Sequence, residues 1–171
     1  LNPSYVSSQE ADGIDLSSHY KMDLAGLGKL KLNLEYTYLN NFEKDGQDYT
    51  GEYRYPQNRW TVTVDWTLND WGAATVLSYV GEFEDTPDID FDGALDFEDN
   101  ESRKVKAQIL VDVQGYYNLN DKTKITLGIN NLLDDEPPFA IGDGDSDLFG
   151  YVTSMYNPRG QYIYGKVNYK F

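Results

Sequence analysis

The sequence predicts an all-β protein: an antiparallel up-and-down meander of about seven strands with the character of a transmembrane β-barrel wall. Three observations predict it. Apolar residues recur at every second position in one stretch after another. Short and long connections alternate strictly between those stretches. The chain is rich in aromatics, with Tyr 15, Phe 7 and Trp 3 among 171 residues.

Successive side chains of a strand point to opposite faces, so strict alternation reads as a strand with one greasy and one wet side. The first segment, about Gly13 to Leu24, sets Ile14, Leu16, Tyr20 and Met22 against Asp15, Ser17, His19, Lys21 and Asp23. The second, about Lys29 to Asn40, sets Leu30, Leu32, Leu34, Tyr36 and Tyr38 against Lys31, Asn33, Glu35 and Thr37. The third is the cleanest, with Trp60, Val62, Val64, Trp66 and Leu68 alternating with Thr61, Thr63, Asp65 and Thr67. The fourth, about Trp71 to Phe83, is blurred by Ala73, Ala74 and Val76. The fifth, about Lys104 to Leu119, places Val105, Ala107, Ile109, Val111 and Val113 opposite Lys106, Gln108, Asp112 and Gln114. In the sixth, Ile125, Leu127 and Ile129 oppose Thr126, Gly128 and Asn130. The seventh, Tyr162 to Phe171, has Ile163, Val167, Tyr169 and Phe171 on one side and Tyr164, Lys166, Asn168 and Lys170 on the other. β-branched and aromatic residues dominate the apolar side, as strands prefer.

Ala25 to Gly28, Asn69-Asp70 and Asn120 to Lys122 are short links of turn-forming residues. The remaining links, roughly 41–58, 84–103 and 132–160, are long. In a meander this sorts short turns to one end and long loops to the other, the asymmetry of outer-membrane barrels. A soluble sandwich has no reason to sort its loops so. Aromatics near strand ends (Tyr36, Tyr38, Trp60, Trp66, Trp71, Tyr79, Tyr116, Tyr117, Tyr169 and Phe171) fit interfacial girdles.

Composition narrows the function. A formal net charge of -15 argues against nucleic acid as a partner. Absence of cysteine excludes disulfides, thiolate metal sites and a cysteine nucleophile. No apolar run approaches the roughly 20 residues of a membrane helix, which leaves strands as the only spanning element. The chain opens Leu1-Asn2-Pro3, with neither an initiating Met nor a leader-like stretch, and is expected to be a processed product or a piece of a longer protein.

The C-terminal part carries specific motifs: Ile129-Asn130-Asn131-Leu132-Leu133-Asp134, Pro137-Pro138-Phe139, Tyr156-Asn157-Pro158-Arg159-Gly160-Gln161-Tyr162, and the closing Tyr169-Lys170-Phe171. It resembles the C-terminal end of TonB-dependent outer-membrane receptors. Leu133 stands where that family more often has Phe, and Gln161 where Arg is commoner. The resemblance implies a 22-stranded barrel plugged by an N-terminal domain. Residues 1–171 are then expected to be a single C-terminal barrel segment without the plug and without the N-terminal segment that couples to TonB. It implies energised uptake of a scarce ligand, such as an iron–siderophore complex, cobalamin or an oligosaccharide, across the outer membrane of a Gram-negative cell. The implied partners are outer-membrane lipid, the rest of the barrel and its plug, the TonB complex, and the barrel-assembly machinery, for which Tyr169 and Phe171 look like the insertion signal.

No catalytic constellation emerges, and no enzyme activity is expected. His19 is the single histidine and falls on a polar side. Carboxylates crowd two long loops, and oxygen-rich clusters suit hard cations. Asp143, Asp145 and Asp147, with Asp88, Asp90 and Asp92, are the candidate Ca²⁺ ligands; a full calcium loop would need a Glu where Ser154 stands. No other cofactor is expected. Lys31, Lys104, Lys106, Lys166 and Lys170 are expected to pair with carboxylates across neighbouring strands. Two other readings stay open: a complete small outer-membrane barrel, and a secreted soluble β domain binding Ca²⁺ or glycans through its acidic loops.

Overall fold

The computed structural model describes residues 8–85, 102–141 and 149–171. These residues form strands β1 (Gln9–Asp23), β2 (Lys29–Lys44), β3 (Gln47–Asp48), β4 (Asn58–Leu68), β5 (Trp71–Val80), β6 (Phe83–Asp85), β7 (Arg103–Val105), β8 (Gln108–Asn120), β9 (Thr123–Asn130) and β10 (Tyr162–Tyr169). The main sheet runs β1-β2-β4-β5-β8-β9-β10, with β3 appended to β2; β6 and β7 make a separate hairpin. Every pairing in this path is antiparallel and joins successive long strands. This is the expected meander, and each of its long strands answers to one alternating segment.

Register explains why the alternation is so regular. Tyr20, Leu32, Val64, Thr75, Val113, Ile129 and Ile163 stand in one row across the whole sheet. One position along, on the opposite face, stand Lys21, Lys31, Asp65, Ala74, Gln114, Gly128 and Tyr164. A slip of one residue in any ladder would invert these faces. The blur in β5 resolves the same way: Trp71, Ala73, Thr75, Leu77 and Tyr79 share the apolar face, and Gly72, Ala74 and Val76 lie on the other.

Nothing covers the apolar face among the described residues. Leu127, Ile163 and Val167 are 67%, 69% and 68% exposed. The apolar stripes from Leu30 to Tyr38 and from Trp60 to Leu68 match the roughly 9–11 residues a strand needs to cross a bilayer. Aromatics border the stripe at both ends. Trp60 stacks on Tyr79 at 5.2 Å near the long loops, and Tyr36 donates to Asn58 Oδ1 at 2.8 Å. At the short-turn end Trp71 meets Tyr117 at 4.5 Å, and Trp66 Nε1 donates to Leu27 O at 2.8 Å.

Tyr116 departs from the girdle expectation. It lies on the polar face, its ring filling the space where Gly72 lacks a side chain, and Lys124 Nζ sits 3.5 Å from the ring centroid. Tyr164 covers Gly128 in the same manner and donates to Gln114 Oε1 at 3.1 Å. The fifth segment is also not one strand. Val105 belongs to β7 and is 2% exposed, because it turns into a cluster of loop residues instead of continuing the apolar stripe.

Short turns close the other end. Asn69 takes the left-handed conformation (φ 50°) in the tight β4–β5 turn, a conformation Asn tolerates well. Residues Ala25–Leu27 form a single 3₁₀ turn between β1 and β2, ended by Gly28 at φ 97°.

Candidate functional site

The buried core is not in the sheet but above it, where the long loops meet. Tyr53 from the β2–β4 loop, Phe83 and Val105 from the β5–β8 loop, and Ala140, Val152 and Tyr156 from the β9–β10 loop form one cluster. Val80, Tyr151 and Met155 pack against it. Tyr53 and Phe83 meet edge to face at 6.2 Å, and Glu84 N donates to Gly51 O at 2.8 Å. Three connections that are distant in sequence therefore share one apolar centre.

Asp85 ties two of them. Its side chain is fully buried and accepts from Arg103 Nη2 at 2.8 Å, from Arg103 Nε at 3.1 Å and from Ile141 N at 2.7 Å. The same guanidinium lies over the Phe139 ring at 4.5 Å. Asp85 counts in sequence as one more member of an acidic, solvated loop. The structure corrects that: a β-hairpin brings Arg103 opposite it, and charge pairing with hydrogen bonds makes its burial tolerable.

The root of the β9–β10 loop joins the motifs that marked the sequence. Asn131, 5% exposed and in the left-handed conformation at φ 50°, donates through Nδ2 to Asp135 O at 2.9 Å. Its Oδ1 accepts from Asp135 N at 3.0 Å. Asp112 Oδ1 accepts from Asn131 N at 2.7 Å. Asp134 Oδ1 accepts from Gln161 N at 2.6 Å, and Gln161 Nε2 donates to Leu132 O at 2.9 Å. The Asn-Leu-Leu-Asp and Pro-Arg-Gly-Gln stretches are thus two halves of one hydrogen-bonded knot.

Under the loops, on the polar face of β2, β4, β5 and β8, lies an open cavity of about 280 Å³. Glu35, Thr37, Arg59, Thr61 and Ser78 line its floor, and Met155 closes it from the loop side. The Arg59 side chain makes no hydrogen bond or ion pair among the described residues, yet its charge acts on the Tyr156 phenol. Burial pushes that phenol up to about 12, with the Arg59 charge opposing the rise. The Tyr156 hydroxyl is buried and has no hydrogen-bond partner among the described residues.

The expected site residues fare unevenly. Asp88, Asp90, Asp92, Asp143, Asp145 and Asp147 lie outside the described residues. Tyr169 and Phe171 stand at the end of β10 with rings edge to face at 5.2 Å, and Phe171 is fully exposed. His19 is exposed on the polar face, with Nδ1 2.8 Å from Asn33 Oδ1. Of the lysines expected to pair, Lys104 reaches Glu82 at 2.6 Å and Lys106 reaches Asp135 at 3.9 Å. The Glu82 contact raises the Lys104 pKa. Lys31, Lys166 and Lys170 have no ion pair among the described residues. Lys31 faces Asp65 across one ladder but Lys21 across the other, which sets a like charge against the pairing. Sequence reasoning did not find Asp85, Arg103, Arg59 or Tyr156. Only the unbroken run Phe83-Glu84-Asp85 opposite Arg103-Lys104-Val105 held a signal, as a short hairpin of opposite charges.

The family model "TonB dependent receptor-like, beta-barrel" matches residues 2–132. Up to about residue 120 that stretch offers alternation and loop sorting but no specific motif. No curated protein sequence matches the chain. Among solved structures, a mutant of the ferric enterobactin receptor PfeA of Pseudomonas aeruginosa superposes with TM-score 0.62 at 18% identity, over 94% of this chain and 22% of that one. The pyoverdine outer membrane receptor FpvA of the same organism, bound to pyoverdine, gives TM-score 0.61 at 14% identity, over 96% and 22%. The chain therefore spans about a fifth of the length of the receptors whose fold it shares.

Proposed function

The chain belongs to the TonB-dependent receptor β-barrel family, and from that premise we propose that it forms the C-terminal wall and outer loops of an outer-membrane receptor for energised uptake of a scarce ligand. The observation that carries the reading is the uncovered apolar face that runs through every long strand of the sheet. In water so large a patch marks a membrane or partner surface. Its aromatic borders and single-strand width favour lipid. The polar face then lines an aqueous lumen, and the long loops face outward as the place of ligand capture. An iron–siderophore complex is the first ligand to try, with cobalamin and oligosaccharides after it.

In this reading β1 and β10, each paired on one side only, join the remaining strands of the barrel, so that no edge is left open. The plug that fills the lumen and the segment that engages TonB lie elsewhere in the receptor. Tyr169 and Phe171 serve as the signal read by the barrel-assembly machinery. The role is transport, and no residue is assigned a reaction.

Fractionation and uptake test this. The full-length protein should sediment with outer membranes of a Gram-negative cell and require detergent for extraction. Deleting its gene should abolish uptake of one radiolabelled iron chelate, cobalamin or oligosaccharide, and the uptake should collapse when the inner-membrane gradient is discharged. A full-length protein recovered in the soluble fraction, monomeric in plain buffer, would refute the assignment.

A further inference from the structure

We propose that the outer face of β5, β8 and β9 at the short-turn end, with the lysine rung that ends β9 and β10, binds one anionic phospholipid; the inference rests on the receptor reading above, which puts this face in a bilayer. An apolar cleft of about 290 Å³ opens there, and Trp71, Gly115, Tyr117, Ile125 and Leu127 line its outward side. Register explains its shape. Trp71, Tyr117 and Ile125 share one row, and Ala73, Gly115 and Leu127 share the next. A Cβ added at Gly115 would meet only Gly72 O, at 3.9 Å, so the second row is notched beside the two aromatic rings. The volume falls just below the range of whole-ligand clefts and suits part of a molecule, such as a length of acyl chain.

A second, independent observation supplies the headgroup. Lys122 and Lys170 meet one rung beyond the Thr123–Tyr169 pair, where Lys170 N donates to Lys122 O at 2.9 Å. Facing side chains on such a rung start about 4.5–5.5 Å apart, and like charges there repel. Neither lysine has an ion-pair partner among the described residues, in a chain with 29 acidic residues against 14 basic ones. Neither β9 nor β10 holds a carboxylate. Two cations side by side ask for a shared anion. The rung lies three residues beyond Ile125, about 10 Å along the strand. The polar zone of a bilayer is about 5–8 Å deep on each side, so a cleft in the outermost hydrocarbon puts the rung at headgroup depth. Trp71 and Tyr117 then lie at the boundary such rings favour. The rung has polar-face parity, and the lysine stems reach over the rim of the sheet, apolar stem along the protein and ammonium in water. An acidic peptide would answer the lysines and leave the cleft empty; a phospholipid answers both. Asp121, beside Lys122, and Asp70, in the β4–β5 turn, oppose an anion, which sets the expected direction of their substitution.

The test uses the full-length protein reconstituted in phosphatidylcholine bilayers. The probe is phosphatidylglycerol with a diazirine near the start of one acyl chain, and phosphatidylcholine with the same chain is the control. After illumination, adducts on the β8 and β9 residues of the cleft are mapped by mass spectrometry. The phosphatidylglycerol probe should label them saturably, and unlabelled phosphatidylglycerol should displace it where soluble glycerol phosphate does not. The control should label them about tenfold less. Lys122→Gln and Lys170→Gln should each raise the half-saturating lipid fraction about fivefold. Asp121→Asn should lower it, and Gly115→Leu, which fills the notch, should reduce labelling by both probes. Each variant is first checked for the heat-shifted gel mobility of a folded barrel; misfolded lysine variants leave the decision to Asp121→Asn and Gly115→Leu. Equal labelling by the two lipids, displacement by glycerol phosphate, or unchanged half-saturation in both lysine variants overturns the site. A protein held in the bilayer and labelled equally by both lipids loses only this site. One that is not recovered with bilayers and is labelled by neither lipid loses the receptor reading.

Discussion

Asp85 shows what one residue does to a loop. A carboxylate with no exposure, held by Arg103 and the Ile141 amide, fixes the β6–β7 hairpin against the β9–β10 loop. Removing Asp85 takes the buried acceptor from the Ile141 amide and from Arg103, whose side chain is 36% exposed and can turn to water, at a cost of about 1–3 kcal/mol. Asp85→Ala should therefore open the loop cluster to limited proteolysis and fast amide exchange while the strands stay protected. Equal exchange rates in wild type and variant would contradict this. Tyr156 gives a pH signature in the same cluster. Its pKa is raised from 10.0 to about 12. Below pH 10 the phenol is neutral folded or unfolded, and burial of the neutral form contributes in full. As pH climbs from 10 to about 12 the unfolded chain ionises while the folded one does not, so the cluster loses about 2 kcal/mol after allowance for nearby solvent. Alkaline titration of tyrosinate absorbance should show one late-ionising tyrosine that disappears in Tyr156→Phe, together with the alkaline loosening of the loops.

At the scale of the element, the strands were legible and the loops were not. Alternation such as Trp60-Thr61-Val62-Thr63-Val64 specifies a strand because each side chain commits to a face through local geometry alone. Asn69-Asp70 and Gly28 specify turns for an equally local reason. Val105 misled because an apolar residue in phase with Ile109 and Val111 looks like the same stripe. Its burial partners are Phe83, across the β6–β7 hairpin, and Val152, from a distant loop, and no periodicity announces either. Tyr156 escaped for the same reason: it lies within the long β9–β10 loop, and its burial partners Tyr53, Phe83 and Val105 come from other loops. Glycines on the polar face carry a further message. At Gly72 and Gly128 a side chain would collide with the Tyr116 and Tyr164 rings lying over them. Gly128→Val should displace Tyr164 and its hydrogen bond to Gln114 and destabilise the β8-β9-β10 ladders by about 1–3 kcal/mol. Chemical denaturation followed through tyrosine fluorescence checks the size, and a double variant with Tyr164→Ala should recover part of the loss.

For the whole molecule, the distribution of burial is inverted relative to a soluble β protein. The largest apolar surface lies outside on the sheet, and the only buried cluster among the described residues sits among the loops. In the proposed receptor a lipid surround would make that arrangement stable, with acyl chains over the outer face and water over the inner one. Val64→Arg, near the middle of the outer face, should then cost about 2–4 kcal/mol in bilayers, whereas Thr63→Arg on the inner face should cost little. The family model reads this pattern over residues 2–132, most of which, up to about residue 120, carries no specific motif. The measurement that tests the central claim most directly is collision accessibility of spin labels in the full-length protein reconstituted in lipid bilayers. Single cysteines are placed at Val62, Thr63 and Val64 on β4 and at Leu32, Asn33 and Leu34 on β2, in a chain that has no native cysteine. Labels at Val62, Val64, Leu32 and Leu34 should meet oxygen dissolved in the bilayer, and those at Thr63 and Asn33 should meet a water-soluble nickel chelate. A chelate that reaches all of these positions alike, or an alternation of opposite phase, would contradict the lipid-facing wall.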